Sequence, residues 1–203
     1  GQDATFVKQL FQDQLWEEAI LQAENFLSQY PTATEAVEVQ DILASSYLQI
    51  EDYSQAMAAY QQLLLSYPFY KDAPRVQYNI GLCAHNLNRL REAYKNFHQV
   101  TLDYPRSQYS GKAALSALEV LMEGELYQEV IVSAKEYIRK YEYSKYLSNY
   151  YLLLAQALVQ ENLFEQAQLI YDKIISDFSD TDERWEAVLA WAELKERQFS
   201  RSE

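Results

Sequence analysis

The chain is short of the residues that make turns and cross-links: its 203 positions hold four glycines, four prolines and one cysteine. So little turn material disfavours an all-β fold. A single thiol, Cys83, cannot form an internal disulfide and is compatible with either redox compartment. Basic residues are scarce too, 17 Lys and Arg against 30 Asp and Glu, a formal charge of −13. That balance argues against nucleic acid as a partner, because phosphate binding needs a basic footprint. Long hydrophobic runs are also missing. The longest, Tyr150 to Val159, is interrupted by Gln156 and falls far short of the roughly 20 residues of a transmembrane helix. There is no initiator Met; Gly1 looks like the residue left by a cleaved tag, and Gln2-Asp3-Ala4 leads almost directly into helical pattern. Such a start fits a chain trimmed behind a signal peptide or lipid anchor, and equally an internal piece of a longer cytoplasmic protein.

What is present is periodic. Tyr-Pro occurs at Tyr30-Pro31, Tyr67-Pro68 and Tyr104-Pro105, each 37 residues from the last, and two further steps land on Tyr141 and Phe178. A small residue keeps the step at Ala19, Ala56, Ala93 and Ala167, with Val130 between them. Large apolar residues precede it by three (Trp16, Tyr53, Leu90, Tyr127, Phe164), and Ala23, Tyr60, Phe97, Ala134 and Tyr171 follow it by four. A further column runs Phe6, Leu43, Ile80, Ala117, Leu154. Each repeat reads as two helices broken at Glu51-Asp52, Asn88-Arg89, Gly124-Glu125 and Glu161-Asn162. Proline ends the second helix, and Asp72 or the pair Thr32 and Glu35 would cap the next. One pair of helices cannot bury its apolar face alone, so stacking is obligatory. In this reading the small column marks a close helix crossing, and Tyr60 and Phe97 fill the gap to the neighbouring repeat.

These residues resemble the tetratricopeptide repeat family. Leu43-Ala44-Tyr47 fit its first-helix pattern and Ile80-Gly81-Ala84 fit in part; Ala56, Tyr60, Pro68 and Ala93, Phe97, Pro105 match its second helix. The resemblance implies an all-α right-handed superhelix of five repeats, at about 1–31, 32–68, 69–105, 106–142 and 143–179. Residues 183–203 would then be a polar-backed capping helix or the start of a sixth repeat, with Trp185, Val188, Leu189, Trp191, Ala192 and Leu194 on the apolar side. The period exceeds the family's usual 34 or so, which puts about three extra residues in each inter-repeat loop. That loop, with Tyr-Pro-Arg-Ser-Gln-Tyr at 104–109, is similar to bacterial envelope members: outer-membrane assembly lipoproteins and periplasmic coordinators of envelope constriction. In the fourth repeat Ala117-Leu118 reverses the large-small order, and Val130, Ala134 and Glu142 replace Ala, an aromatic and Pro. Local irregularity is expected there, such as a changed angle between repeats.

The family binds partners in a concave groove lined by first helices. By that pattern the groove here comprises Leu48, Tyr78, Asn79, Leu82, His85, Asn86, Leu115, Glu119, Met122, Leu152, Gln156 and Val159, a mixed surface suited to an extended peptide or a helix. The carboxylate grip of some members survives only as scattered Lys8, Arg75, Asn79 and Lys112, so a chaperone-tail clamp is disfavoured.

Catalysis and cofactors find no foothold. His85 and His98 lie on different helices, no His-Glu-x-x-His or paired-Cys motif exists, and Cys83 reads as a small packed residue. No metal site, cofactor site or enzyme activity is therefore expected.

Two surface features stand out. Residues 71–112 hold seven basic side chains against three acidic, while residues 1–70 hold one against ten and residues 113–203 nine against seventeen. Arg75, Arg89, Arg91 and Lys95 form a candidate basic patch that would steer an acidic partner or let copies of the chain self-associate. Among eighteen tyrosines, Tyr143 and Tyr146 are candidates for an exposed aromatic patch, whereas Tyr137 and Tyr141 belong to packing columns. The expected function is a non-catalytic scaffold for protein partners, periplasmic or outer-membrane-associated. The alternative is a recruiting or regulatory domain of a larger enzyme or cytoplasmic complex.

Overall fold

A computed structural model describes residues 4–200, apart from the side chains of 198 and 199. It is all-α. In order the helices are α1 (Ala4–Gln12), α2 (Trp16–Gln29), α3 (Ala36–Gln49), α4 (Tyr53–Ser66), α5 (Ala73–Asn86), α6 (Leu90–Asp103), α7 (Ser110–Glu123), α8 (Tyr127–Lys140), α9 (Leu147–Gln160), α10 (Phe164–Asp177) and α11 (Asp182–Ser200). The 37-residue step is kept to the residue: α3, α5, α7 and α9 each start 37 positions apart, as do α2, α4, α6, α8 and α10. We call the first helix of each hairpin A and the second B. The chain divides into two compact units, residues 1–109 with α1–α6 and residues 110–203 with α7–α11. The division falls at the start of the fourth repeat. Within each unit consecutive helices pack on one another.

The turn between A and B has one design throughout. Gln14, Glu51, Asn88, Glu125 and Asn162, again 37 apart, take left-handed backbone angles, with φ of 61°, 60°, 57°, 56° and 60°. The next amide reaches back to close the helix end: Leu15 N–H to the Leu10 carbonyl (2.9 Å), Asp52 to Tyr47 (3.0 Å), Arg89 to Ala84 (2.9 Å), Leu126 to Leu121 (2.9 Å) and Leu163 to Leu158 (2.8 Å). These are Schellman closures, which satisfy orphan carbonyls and usually use glycine. The following B helix therefore begins on a residue already committed to the turn. Leu15, Arg89, Leu126 and Leu163 make no side-chain cap, while Asp52 also accepts from the Gln55 amide at 3.2 Å.

Helix ends differ from the sequence expectation in two ways. Neither Asp72 nor Glu35 caps with its side chain. The A helices open instead from a backbone turn, Ala36 N–H to the Ala33 carbonyl (3.0 Å) and Ala73 N–H to the Tyr70 carbonyl (2.9 Å). Nor does proline set the end of B. Tyr30, Tyr67, Tyr104, Tyr141 and Phe178 leave helical geometry alike, at φ between −122° and −134°, although the last two have no proline behind them.

The core is made of the predicted columns and one more. Ala19, Ala56, Ala93, Val130 and Ala167 are completely buried where A and B cross. The A helices bury Val39, Val76, Ala113 and Tyr150 at one register position, and α11 continues it with Ala187. Side-chain volume is traded across each hairpin. Tyr60, Phe97 and Tyr171 on B stand in the same register as Ala44, Gly81 and Ala155 on A; where B carries Ala23 or Ala134, A carries Val7 or Leu118. All ten are buried. Small A residues let the backbones approach, and α3–α4, α5–α6 and α9–α10 lie closer along their length than α7–α8. The fourth repeat thus departs from the family pattern by the same exchange as the first, with unchanged helix lengths and turn. Phe97 packs on Gly81 and Tyr78 of its own hairpin.

The apolar side expected for the last helix is only partly used. In α11 Ala187 and Leu194 are buried, whereas Trp185 and Leu189 are exposed, with the Arg184 guanidinium 5.4 Å from the Trp185 ring. No described helix is long and apolar enough to cross a membrane.

Candidate functional site: the A-helix face

In unit 1 the A helices carry a stripe spaced three or four residues apart: Lys8 and Phe11 on α1, Glu38, Asp41, Ser45 and Leu48 on α3, and Arg75, Tyr78, Leu82 and His85 on α5. Charged side chains tie neighbouring helices together along it. Lys8 pairs with Glu38, and that ammonium holds the Glu38 carboxyl below its usual range. Arg75 pairs with Asp41, which is largely buried and also accepts from the Tyr70 hydroxyl (2.7 Å) and the Ser45 hydroxyl (3.2 Å). Burial, and then the hydrogen bond to Asp41, push the Tyr70 phenol far above its ordinary pKa. Ser45 in turn meets the Tyr60 hydroxyl at 2.9 Å, and the Asn79 amide donates to that oxygen at 3.0 Å. Six side chains from α3, α4, α5 and the loop before α5 thus form one connected network. Networks with every member satisfied rigidify their surroundings.

Several sequence-predicted positions stand elsewhere than expected. Tyr78 is only 4% exposed, its ring tilted against Phe97 (5.2 Å between centroids) and Tyr109 (6.1 Å), and Leu152 is 7% exposed; both are core. Asn79 is spent on Tyr60. Arg75 is held by Asp41, so it does not belong to a free basic patch; Arg89, Arg91 and Lys95 are exposed on or beside α6, a B helix. Lys8, Arg75 and Asn79 are each engaged within unit 1, by Glu38, Asp41 and Tyr60. In that unit Leu48, Leu82 and His85 are half-buried and Asn86 is exposed, its amide donating to the Leu82 carbonyl at 2.9 Å. In unit 2 Leu115, Met122, Gln156 and Val159 are half-buried and Glu119 exposed. Tyr143 is 94% exposed, but Tyr146 is half-buried beside Gly111, with the Lys145 ammonium 5.1 Å from its ring.

Sequence reasoning missed two features. Asp41 is one; its signal was a carboxylate on the apolar face of α3. The other is Phe69, 98% exposed beside an open cleft of about 660 Å³ lined also by Val37, Tyr67, Pro68 and Lys71. Phe69 stands in the same loop column as Tyr143, so comparing loops as well as helices would have found it. Cys83 is buried and its thiol pushed up to about 12 by that burial, which makes it a packing residue. Among the described residues no group of His, Cys, Asp or Glu is placed to hold a metal ion.

Residues 38–69 and 75–107 match the tetratricopeptide repeat family model. No curated protein matches the chain in sequence. Solved structures share its fold. A tetratricopeptide repeat protein from Parabacteroides merdae is 12% identical, with a TM-score of 0.68 over 96% of this chain and 73% of that one. A MamA structure is 13% identical, at 0.66 over 85% and 90%. YrrB, described as a TPR protein with an unusual peptide-binding site, is 14% identical, at 0.65 over 93% and 92%. At such identities the likeness establishes the fold alone.

Proposed function

We propose that the chain is a non-catalytic scaffold which holds a protein partner, as an extended segment or a helix, on the A-helix face of unit 1. The observation that carries this reading is the half-exposed apolar row Phe11, Leu48 and Leu82, one residue from each of α1, α3 and α5, flanked by His85 and Asn86. Apolar anchors edged by amides and charges are what a groove for a peptide or helix needs. The ion pairs Lys8–Glu38 and Arg75–Asp41 and the Tyr60 network fix the helices that present the row. A preformed surface loses little ordering entropy when it binds. The peptide-binding site of YrrB, on the same fold, supports this reading by analogy. We further propose a place in a bacterial cell-envelope assembly, on the strength of the long inter-repeat loop and the phrase at 104–109.

Capture from envelope and cytosolic fractions of the source organism tests both parts. A folded Leu48→Glu/Leu82→Glu variant is expected to lose an envelope protein that the wild type retains. Equal capture by the variant would refute the A-helix face, and a purely cytosolic partner would refute the envelope assignment.

A further inference from the structure

The repeats act as controls for one another, and one comparison exposes a site. In unit 1 the buried Tyr60 hydroxyl is satisfied from two sides, by Ser45 on its own A helix and by the Asn79 amide on the next. Three periods later, in unit 2, Tyr171 takes the place of Tyr60, Gln156 that of Ser45 and Ala190 that of Asn79. The donor amide has become a methyl group. These same three residues line a cavity of about 220 Å³ between α9, α10 and α11. Tyr171 is 2% exposed, and no amide side chain stands at the position from which Asn79 meets Tyr60. The side chain of Tyr171 borders the cavity, so an occupant that displaces water from it must offer the hydroxyl a donor N–H in its place.

We propose that this cavity takes one basic side chain, lysine or arginine, from a bound protein segment, its N–H group donating to Tyr171 and its charge facing Glu193. The inference rests on the scaffold reading above and names what unit 2 recognises. The cavity is smaller than the roughly 300–1,000 Å³ of a small-molecule site, which suits a side chain rather than a cofactor. Val159 and Leu194 supply apolar wall for the methylene stem, as amphipathic cations prefer. Glu193, in the cavity lining, has the right sign for a cation. Burial pushes the Tyr171 phenol up to about 12, and the charges that add to this are the carboxylates of Glu193 and Glu186. Arg197 lines the cavity as well and opposes a cation, so the attraction rests on Glu193, which shares the lining.

The test titrates acetylated, amidated pentapeptides Ala-Ala-Xaa-Ala-Ala into the whole ¹⁵N-labelled chain, with Xaa as Lys, Arg, norleucine or Glu. The Lys and Arg peptides are expected to shift the amides of 156–160 and 190–197 saturably. Norleucine should bind at least tenfold more weakly and Glu not at all. Ala190→Asn, which rebuilds the donor of unit 1, should abolish the shifts while unfolding no earlier than wild type, and Glu193→Gln should narrow the gap between Lys and norleucine. Should Ala190→Asn fail to fold, Tyr171→Phe serves, with at least a fivefold loss expected. Equal binding of Lys and norleucine, shifts confined to other helices, no binding by any peptide, or indifference to these substitutions would overturn the proposal. Its failure is separable from that of the scaffold reading: loss of partner capture by Leu48→Glu/Leu82→Glu together with silent peptides sinks the pocket alone.

Discussion

The ring of Phe97 lies so close to Gly81 that a methyl group added there would come within 2.6 Å of two ring carbons. Gly81 is thus required by a neighbour, not by its own backbone, which is ordinary α-helix. The pair is one case of the exchange seen in every hairpin, a large residue on one helix opposite a small one on the other. Gly81→Ala is expected to destabilise the chain by about 1–3 kcal/mol, as overpacking does. Phe97→Ala should cost about 3–5 kcal/mol. The double variant Gly81→Leu/Phe97→Ala, which copies Leu118 and Ala134, should recover at least about 1 kcal/mol of the summed losses of Gly81→Leu and Phe97→Ala against wild type, the singles that complete the cycle. Urea unfolding of the four proteins checks this, and additive losses would contradict size exchange.

Left-handed turns at residues with a Cβ carry stored strain. Glu125→Gly is expected to raise stability by about 0.5–1 kcal/mol, because glycine adopts φ near +56° without penalty. Asn162→Gly should gain less, since asparagine tolerates that region. The two unfolding midpoints compared with wild type decide the order.

Breaking the Asp41 network from one side should be costly. Arg75→Ala leaves a largely buried carboxylate without its cation and is expected to lose about 3 kcal/mol or more. Arg75→Leu combined with Asp41→Leu removes both charges and should recover most of that loss. Thermal unfolding measures both, and a mild effect of Arg75→Ala would show that the pair does not hold α3 to α5.

Cys83 provides a pH prediction. Burial favours the neutral thiol and raises its pKa from 9.0 to about 12. The group therefore contributes its full stability below pH 9 and loses it as pH rises from 9 toward 12. In the native chain at pH 8 a disulfide reagent should modify Cys83 only as fast as the chain opens; rapid stoichiometric labelling would contradict its burial.

Much of the fold was legible because repeats average out local ambiguity. The 37-residue step, the A–B breaks and the buried small-residue column all came from residues spaced alike in four or five copies. Reading down columns alone, however, made Leu118 and Ala134 look like two defects, when read across the hairpin they compensate. Capping was misjudged because Asp72 and Thr32 have cap chemistry, while the backbone turns ahead of α3 and α5 already supply the bond. The site was less legible. Helical spacing placed Tyr78 and Arg75 on one stripe of α5 but could not show that Phe97 and Tyr109 lie against the first and that Asp41 pairs with the second. The Tyr171 cavity was invisible for the same reason: it arises from what Ala190 lacks relative to Asn79, and that matters only once Tyr60 is seen to need the amide.

The central claim is that partners are held by the A helices of unit 1. Hydrogen exchange on the whole chain, with and without the captured partner, tests it most directly. The account predicts slower exchange across α1, α3 and α5, strongest around Leu48 and Leu82, with α2, α4 and α6 unchanged. Protection confined to the B helices, or to the exposed Phe69 and Tyr143 loops, would contradict it.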